Sequence, residues 1–149
     1  IKREGKDITI LTIGATLYRA LEAAKVLEEK YGMSAEVIDA RSLVPFNYEK
    51  VLASVKKTGR IVIAGDATAR GSSLNDLARN VNELAFDYLD APAVVLDWIT
   101  PAYELEYAFF PQVDSFIDII HEKIVPLPGH VPTRNFTEAE QIRRAKEGI

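Results

Sequence analysis

Cysteine is absent from the chain, which removes disulfides, thiolate metal sites and cysteine nucleophiles together. Histidine is scarce. His121 and His130 are the only two, and they lack the paired spacing of metal ligands. His121 falls late in a helical pattern beside Glu122, and His130 in a proline- and glycine-rich loop, so both are expected as solvated surface residues. A basic surplus is missing too. Against 22 Asp and Glu stand 18 Lys and Arg, a net charge of -4, which argues against neutralising nucleic-acid phosphates. No apolar run approaches the ~20 residues needed to span a bilayer, and the N-terminus has no signal-peptide pattern. The expectation is a protein that binds neither nucleic acid nor membrane. A cytoplasmic setting suits a cysteine-free chain.

Familiar ligand loops are also wanting. Gly14-Ala-Thr-Leu-Tyr18 follows a strand pattern but lacks the further glycines of a dinucleotide fingerprint. Gly65-Asp-Ala-Thr-Ala-Arg-Gly-Ser72 has no lysine at the phosphate-loop position. Ser72 and Ser73 have no nearby base and no elbow glycines, so helix capping explains them better than nucleophilic attack. Glu28-Glu29 reads as a solvated face, and Glu104 with Glu106 as a loop rim. The reading assigns no catalytic, cofactor-binding or metal-ligating residue to this segment.

What is present is a regular alternation of strand and helix periods. Ile8 to Ile13 is a β-branched run ended by Gly14, and Thr16 to Tyr31 turns helical, with Leu17, Ala20, Leu21, Ala24 and Leu27 on one face. Gly32 serves as its C-cap. Ala35 to Asp39 is a second strand, and Arg41 to Phe46 a loop broken by Pro45. A short helix follows, with Asn47 as N-cap, Lys56 and Lys57 in its last turn, and Gly59 as its stop. Ile61 to Ala64 is a third strand bounded by Gly65-Asp66. Ser73 can cap the next helix, with Asp76 in a capping-box arrangement and an apolar period that holds to Tyr88. Ala93 to Trp98 is a fourth strand, Pro101 to Pro111 an aromatic-rich connection, and Val113 to Ile124 the final core helix.

With 149 residues, 48% of them hydrophobic, the chain can bury one sizeable core. The alternation implies βαβ units and an α/β fold: a three-layer αβα sandwich on a mostly parallel sheet of about five strands. Residues 1–125 are expected to form the domain. Residues 126–149 read as a tail in which Thr137 and Glu140 open a weak helix that docks on a partner or frays. The chain begins at Ile1 rather than Met and runs directly into a strand, so it is expected to be a piece of a longer polypeptide.

In open α/β sheets, ligands and partners gather at the carboxyl ends of the strands. There the sequence places Arg41, Asp66 and Arg70. These are the candidate interface residues, either paired locally, Arg41 with Asp39 and Arg70 with Asp66, or facing a neighbouring subunit.

The segment Glu36-Val-Ile-Asp-Ala-Arg-Ser-Leu-Val-Pro45, followed by Ser54-Val-Lys-Lys-Thr-Gly-Arg60, resembles the transketolase C-terminal domain. Within that superfamily it is similar to the beta subunits of branched-chain 2-oxoacid, pyruvate and acetoin dehydrogenases. Phe86-Asp-Tyr-Leu-Asp-Ala-Pro92, Thr100-Pro101, Leu105-Glu106 and Phe110-Pro-Gln112 continue the resemblance. Gly129 to Glu140 resembles the end of versions in which alpha and beta parts are fused. The resemblance implies a parent that decarboxylates a 2-oxoacid with thiamine diphosphate and magnesium, bound by other domains, and passes the acyl unit to lipoamide. It further implies that this domain serves subunit assembly, in a homo-oligomeric enzyme, and docking of the acyltransferase component. Two places depart from the family: Gly65-Asp66 stands where a Glu pair is usual, and Thr100-Pro-Ala-Tyr103 shortens a longer motif. Other readings are a different thiamine enzyme of transketolase type, a free-standing ligand-binding module of flavodoxin type, and a purely structural assembly module.

Overall fold

The computed structural model describes residues 1–68, 71–98 and 110–133. Strands β1 (Ile8–Thr12), β2 (Ala35–Asp39), β3 (Ile61–Thr68) and β4 (Val94–Trp98) alternate with helices α1 (Thr16–Tyr31), α2 (Tyr48–Thr58) and α3 (Ser73–Leu84); α4 spans Val113–Lys123. All pairings are parallel, in the order β2-β1-β3-β4. The expectation of about five strands becomes four among the described residues.

The period-2 alternation of β1 divides the core. Ile8 and Ile10 face a layer formed by α1 and α4, where Ala20, Ala23, Ala24, Leu27, Phe116 and Ile120 are buried. Leu11 faces the opposite layer, where Val51 and Val55 of α2 meet Leu74, Leu77 and Val81 of α3. The expected three-layer sandwich is therefore present. The alanines of α1 have small side chains and allow the helix to sit close on the sheet. Phe116 is fully buried, a burial that contributes about 2–3 kcal/mol by removal of apolar surface from water. No described helix is long and apolar enough to cross a membrane.

Local signals set most boundaries. Gly32, at φ 65°, closes α1 with its N–H donating to Glu28 O, and Met33 N–H donates to Leu27 O at 3.1 Å. Asn47 Oδ1 accepts from Lys50 N at 3.2 Å and so caps α2. Three boundaries differ from expectation. Strand β3 runs through Gly65-Asp66 to Thr68, with a register shift against β4 between Ala64 and Thr68. Helix α3 ends at Leu84, and a 3-10 turn over Phe86–Tyr88 takes up the remaining apolar period. Its N-cap is Ser72 rather than Ser73, with no side-chain capping bond.

The histidines also differ. His130 is largely buried: its Nε2 lies 2.7 Å from Asp118 Oδ1 and its Nδ1 2.9 Å from Tyr31 Oη. His121 is half-buried, and its Nδ1 accepts from Leu127 N at 2.8 Å. Both were expected in solvent. His130 meets Tyr31 99 residues away and His121 meets the turn that follows its helix, contacts that local sequence pattern does not reveal.

Candidate interface at the carboxyl end of the sheet

From β1 the chain crosses to β2 on one side, and from β2 it returns to β3 on the other. This strand order creates a switch point between the carboxyl ends of β1 and β3. Gly14 turns the chain there at φ 71°, a left-handed conformation that favours glycine. A Cβ on Gly14 would lie 3.6 Å from Asp66 Oδ1, so the turn and the exposed Asp66 flank the same crevice.

Threonines stitch this end together. Thr16 Oγ1 donates to Ile13 O at 2.9 Å and to Ala64 O at 3.3 Å, tying the start of α1 to both central strands. Thr12 Oγ1 donates to Ile38 O at 3.0 Å, and Ala40 N donates to Thr12 O at 2.8 Å. These two threonines were not singled out from sequence. Their signal is a hydroxyl beside a strand end, common in turns and hard to separate from ordinary capping.

The expected Arg41–Asp39 pair is present: Arg41 Nε lies 3.2 Å from Asp39 Oδ2, which Lys2 Nζ also approaches at 3.6 Å. The Arg41 side chain is 76% exposed, so the pair contributes little to stability. Its guanidinium remains largely open to other contacts. Arg70 lies outside the described residues, as do Thr100 to Tyr103, Leu105, Glu106, Thr137 and Glu140.

Beyond Arg41 the loop turns its apolar side chains outward. Ser42 Oγ donates to Pro45 O at 3.0 Å, while Val44 is 92% and Leu43 42% exposed. Tyr18, in the first turn of α1, is 70% exposed. The carboxyl end thus presents three apolar side chains together with the charges of Arg41 and Asp66. Solvated apolar groups clustered beside charges are the composition of a contact surface.

The amino end of the sheet is closed instead. The Glu36 side chain is 1% exposed and accepts from Lys57 Nζ and, at 3.4 Å, from Gly5 N. Burial pushes the Glu36 carboxyl up, but donation from Lys57 and Ser54 outweighs it and holds the group below its usual value. Glu36, in turn, raises Lys57 above its usual value. This pair was not identified from sequence, because Glu36 occupies a strand position and Lys57 a helix end some 21 residues later.

Among the described residues no group of three or more His, Cys, Asp or Glu is placed to hold a metal ion.

Residues 1–115 match the family described as "Transketolase, C-terminal domain". The chain is 39% identical over 127 residues to the pyruvate dehydrogenase E1 component subunit beta, mitochondrial, of Saccharomyces cerevisiae, covering 82% of this chain and 35% of that protein. It is 44% identical over 92 residues to the mitochondrial 2-oxoisovalerate dehydrogenase subunit beta of Dictyostelium discoideum, covering 62% and 25%. Over another 92 residues it is 45% identical to the acetoin:2,6-dichlorophenolindophenol oxidoreductase subunit beta of Bacillus subtilis, covering 62% and 27%. The chain thus spans about a third or less of the length of these relatives. Among solved structures, one described as "Split gene transketolase, inactive beta4 tetramer" superposes with a TM-score of 0.63 at 30% identity, over 77% of this chain and 37% of that one. With a family match across most of its length and the parallel αβα architecture to accompany it, this chain belongs to the transketolase C-terminal domain family.

Proposed function

We propose that this chain is the C-terminal domain of the decarboxylating component of a thiamine-diphosphate-dependent 2-oxoacid dehydrogenase, acting on a branched-chain 2-oxoacid or pyruvate. The observation that carries this reading is the 39–45% identity to beta subunits named for pyruvate, 2-oxoisovalerate and acetoin. Thiamine diphosphate and magnesium belong, on this reading, to other domains of the enzyme. Residues 1–125 act as the folded domain, with 126–133 packed back on it, and the remainder of the 126–149 tail meets a partner.

The work of the domain itself is assembly. Arg41, Asp66 and Arg70 are its interface residues, with the remainder of a homo-oligomeric enzyme as first partner and the lipoamide-bearing acyltransferase as second. The exposure of Arg41, Leu43, Val44 and Tyr18 on one end of the sheet supports this role. A cytosolic setting is part of the same proposal.

The test is ferricyanide-linked decarboxylation by the assembled enzyme that contains this chain, loaded with thiamine diphosphate and magnesium. Turnover of pyruvate or of branched-chain 2-oxoacids is expected. A folded, cofactor-loaded enzyme that turns over no 2-oxoacid would overturn the reading. A second reading, two-carbon transfer of transketolase type, is favoured by the structural similarity to a split-gene transketolase. Transfer between a ketose and an aldose in the same preparation would select it.

A further inference from the structure

The last described segment, residues 126–133, belongs to no helix or strand, yet it is held at several points. Pro126, Pro128 and Pro132 remove three backbone donors from eight residues, so the segment is poorly equipped to join a ladder. Leu127 is 3% exposed and is buried in the cluster that α1 and α4 share. Its N–H donates to His121 Nδ1, and His130 N donates to Leu127 O at 3.2 Å, closing a turn.

The polar attachments converge on one carboxylate. Asp118 is fully buried on α4, where an uncompensated charge would be costly. Its Oδ1 faces His130 Nε2 at 2.7 Å, and its Oδ2 accepts from Thr133 N at 3.0 Å and Thr133 Oγ1 at 2.8 Å. His130 therefore bridges the two helices, with Nε2 at Asp118 and Nδ1 at the Tyr31 hydroxyl. The Tyr31 hydroxyl, at the end of α1, lies 2.9 Å from that Nδ1. The segment therefore supplies the donors that make the burial of Asp118 tolerable, and Asp118 supplies the anchor that holds the segment.

We propose that residues 126–133 are a strap, pinned to Asp118, that opens as a unit while the sheet stays folded. Its attachments are mostly side-chain bonds to one seat plus a single apolar plug, whereas β1 is paired on both sides within the sheet. Local opening follows such differences in backbone bonding and apolar contact. The inference rests on the geometry around Asp118 and not on the proposed enzymatic role.

Amide hydrogen exchange, read by mass spectrometry on the protein carrying this chain, tests it. In the unmodified protein, peptides covering 126–133 are expected to exchange before those of β1 and β3. His130→Ala and Thr133→Ala each remove a hydrogen-bond partner of Asp118 without touching the sheet. Each is expected to speed exchange in the strap by roughly tenfold or more and to leave β1 and β3 unchanged. Exchange of 126–133 in step with β3, or rates unaltered by both variants, would overturn the proposal.

Discussion

Thr9 Oγ1 lies 2.6 Å from Ser54 Oγ, a hydroxyl contact between the buried face of β1 and α2. Thr58 Oγ1 is 2.8 Å away on the same helix and donates to Arg60 O at 3.1 Å. The helix is thus registered on the sheet by hydroxyls as well as by Val51 and Val55. Thr9→Val keeps the shape and removes the shared group. It is expected to cost about 1–2 kcal/mol in urea unfolding. Combined with Ser54→Ala, the two losses should fall short of or exceed their sum by about 0.5 kcal/mol or more, since the groups touch. Strict additivity would show that the contact carries no energy.

The Glu36–Lys57 pair sets a pH dependence at both extremes. In the folded chain the Lys57 ammonium and the Ser54 hydroxyl hold Glu36 below the ordinary carboxylate value, which it regains on unfolding. Its contribution is therefore present above about that ordinary value and is lost as pH falls through the lowered folded value. The Glu36 carboxylate raises Lys57 above the ordinary lysine value, so its contribution is present below that ordinary value and disappears as pH rises through the raised one. Glu36→Gln is expected to flatten the acid side of the stability profile. Lys57→Met leaves the buried carboxylate with fewer donors and should cost about 1–3 kcal/mol near neutrality. An acid limb as steep in Glu36→Gln as in the parent would contradict this assignment.

Local signals in the sequence located much of the fold, and their limits are equally specific. Thr16 to Tyr31 and Ala35 to Asp39 were legible to the residue, because the apolar period is clean and Gly32 supplies a left-handed cap. Asn47 and Gly59 framed α2 for the same reason. The end of β3 was misplaced because Gly65-Asp66 has turn composition. There, a Cβ on Gly65 would lie 3.1 Å from Leu74 Cδ2, so this glycine admits α3 against the strand. At the candidate interface, Arg41 and its pairing with Asp39 were readable because the two are near in sequence. The Asp118–His130–Tyr31 set was not. Its members are up to 99 residues apart, and a single sequence carries no signal for such a meeting.

Asn47 caps α2 through its Oδ1, which accepts from Lys50 N. Asn47→Ala should lower stability by about 1 kcal/mol, and Asn47→Asp should retain most of it. Thermal melts of the three proteins check the order. An alanine variant as stable as the aspartate variant would show that the cap is dispensable.

Gly14 holds a left-handed turn beside Asp66 at the switch point. Gly14→Ala forces a Cβ into that conformation and is expected to destabilise by about 1–2 kcal/mol. The space toward Asp66 is ordinary contact distance, so the cost comes from the backbone rather than from a clash. A circular dichroism spectrum like the parent's with a lowered melting temperature is the expected result; an unchanged melting temperature would contradict it.

The most direct test concerns the carboxyl-end face as an assembly surface. Val44 is 92% exposed there, so Val44→Glu should leave the fold of the domain intact. Sedimentation of the complete enzyme carrying this substitution is the measurement. The account predicts dissociation into smaller species by a chain that still melts cooperatively at the parent's temperature. An undisturbed assembly with Val44→Glu, and likewise with Arg41→Glu, would contradict the account.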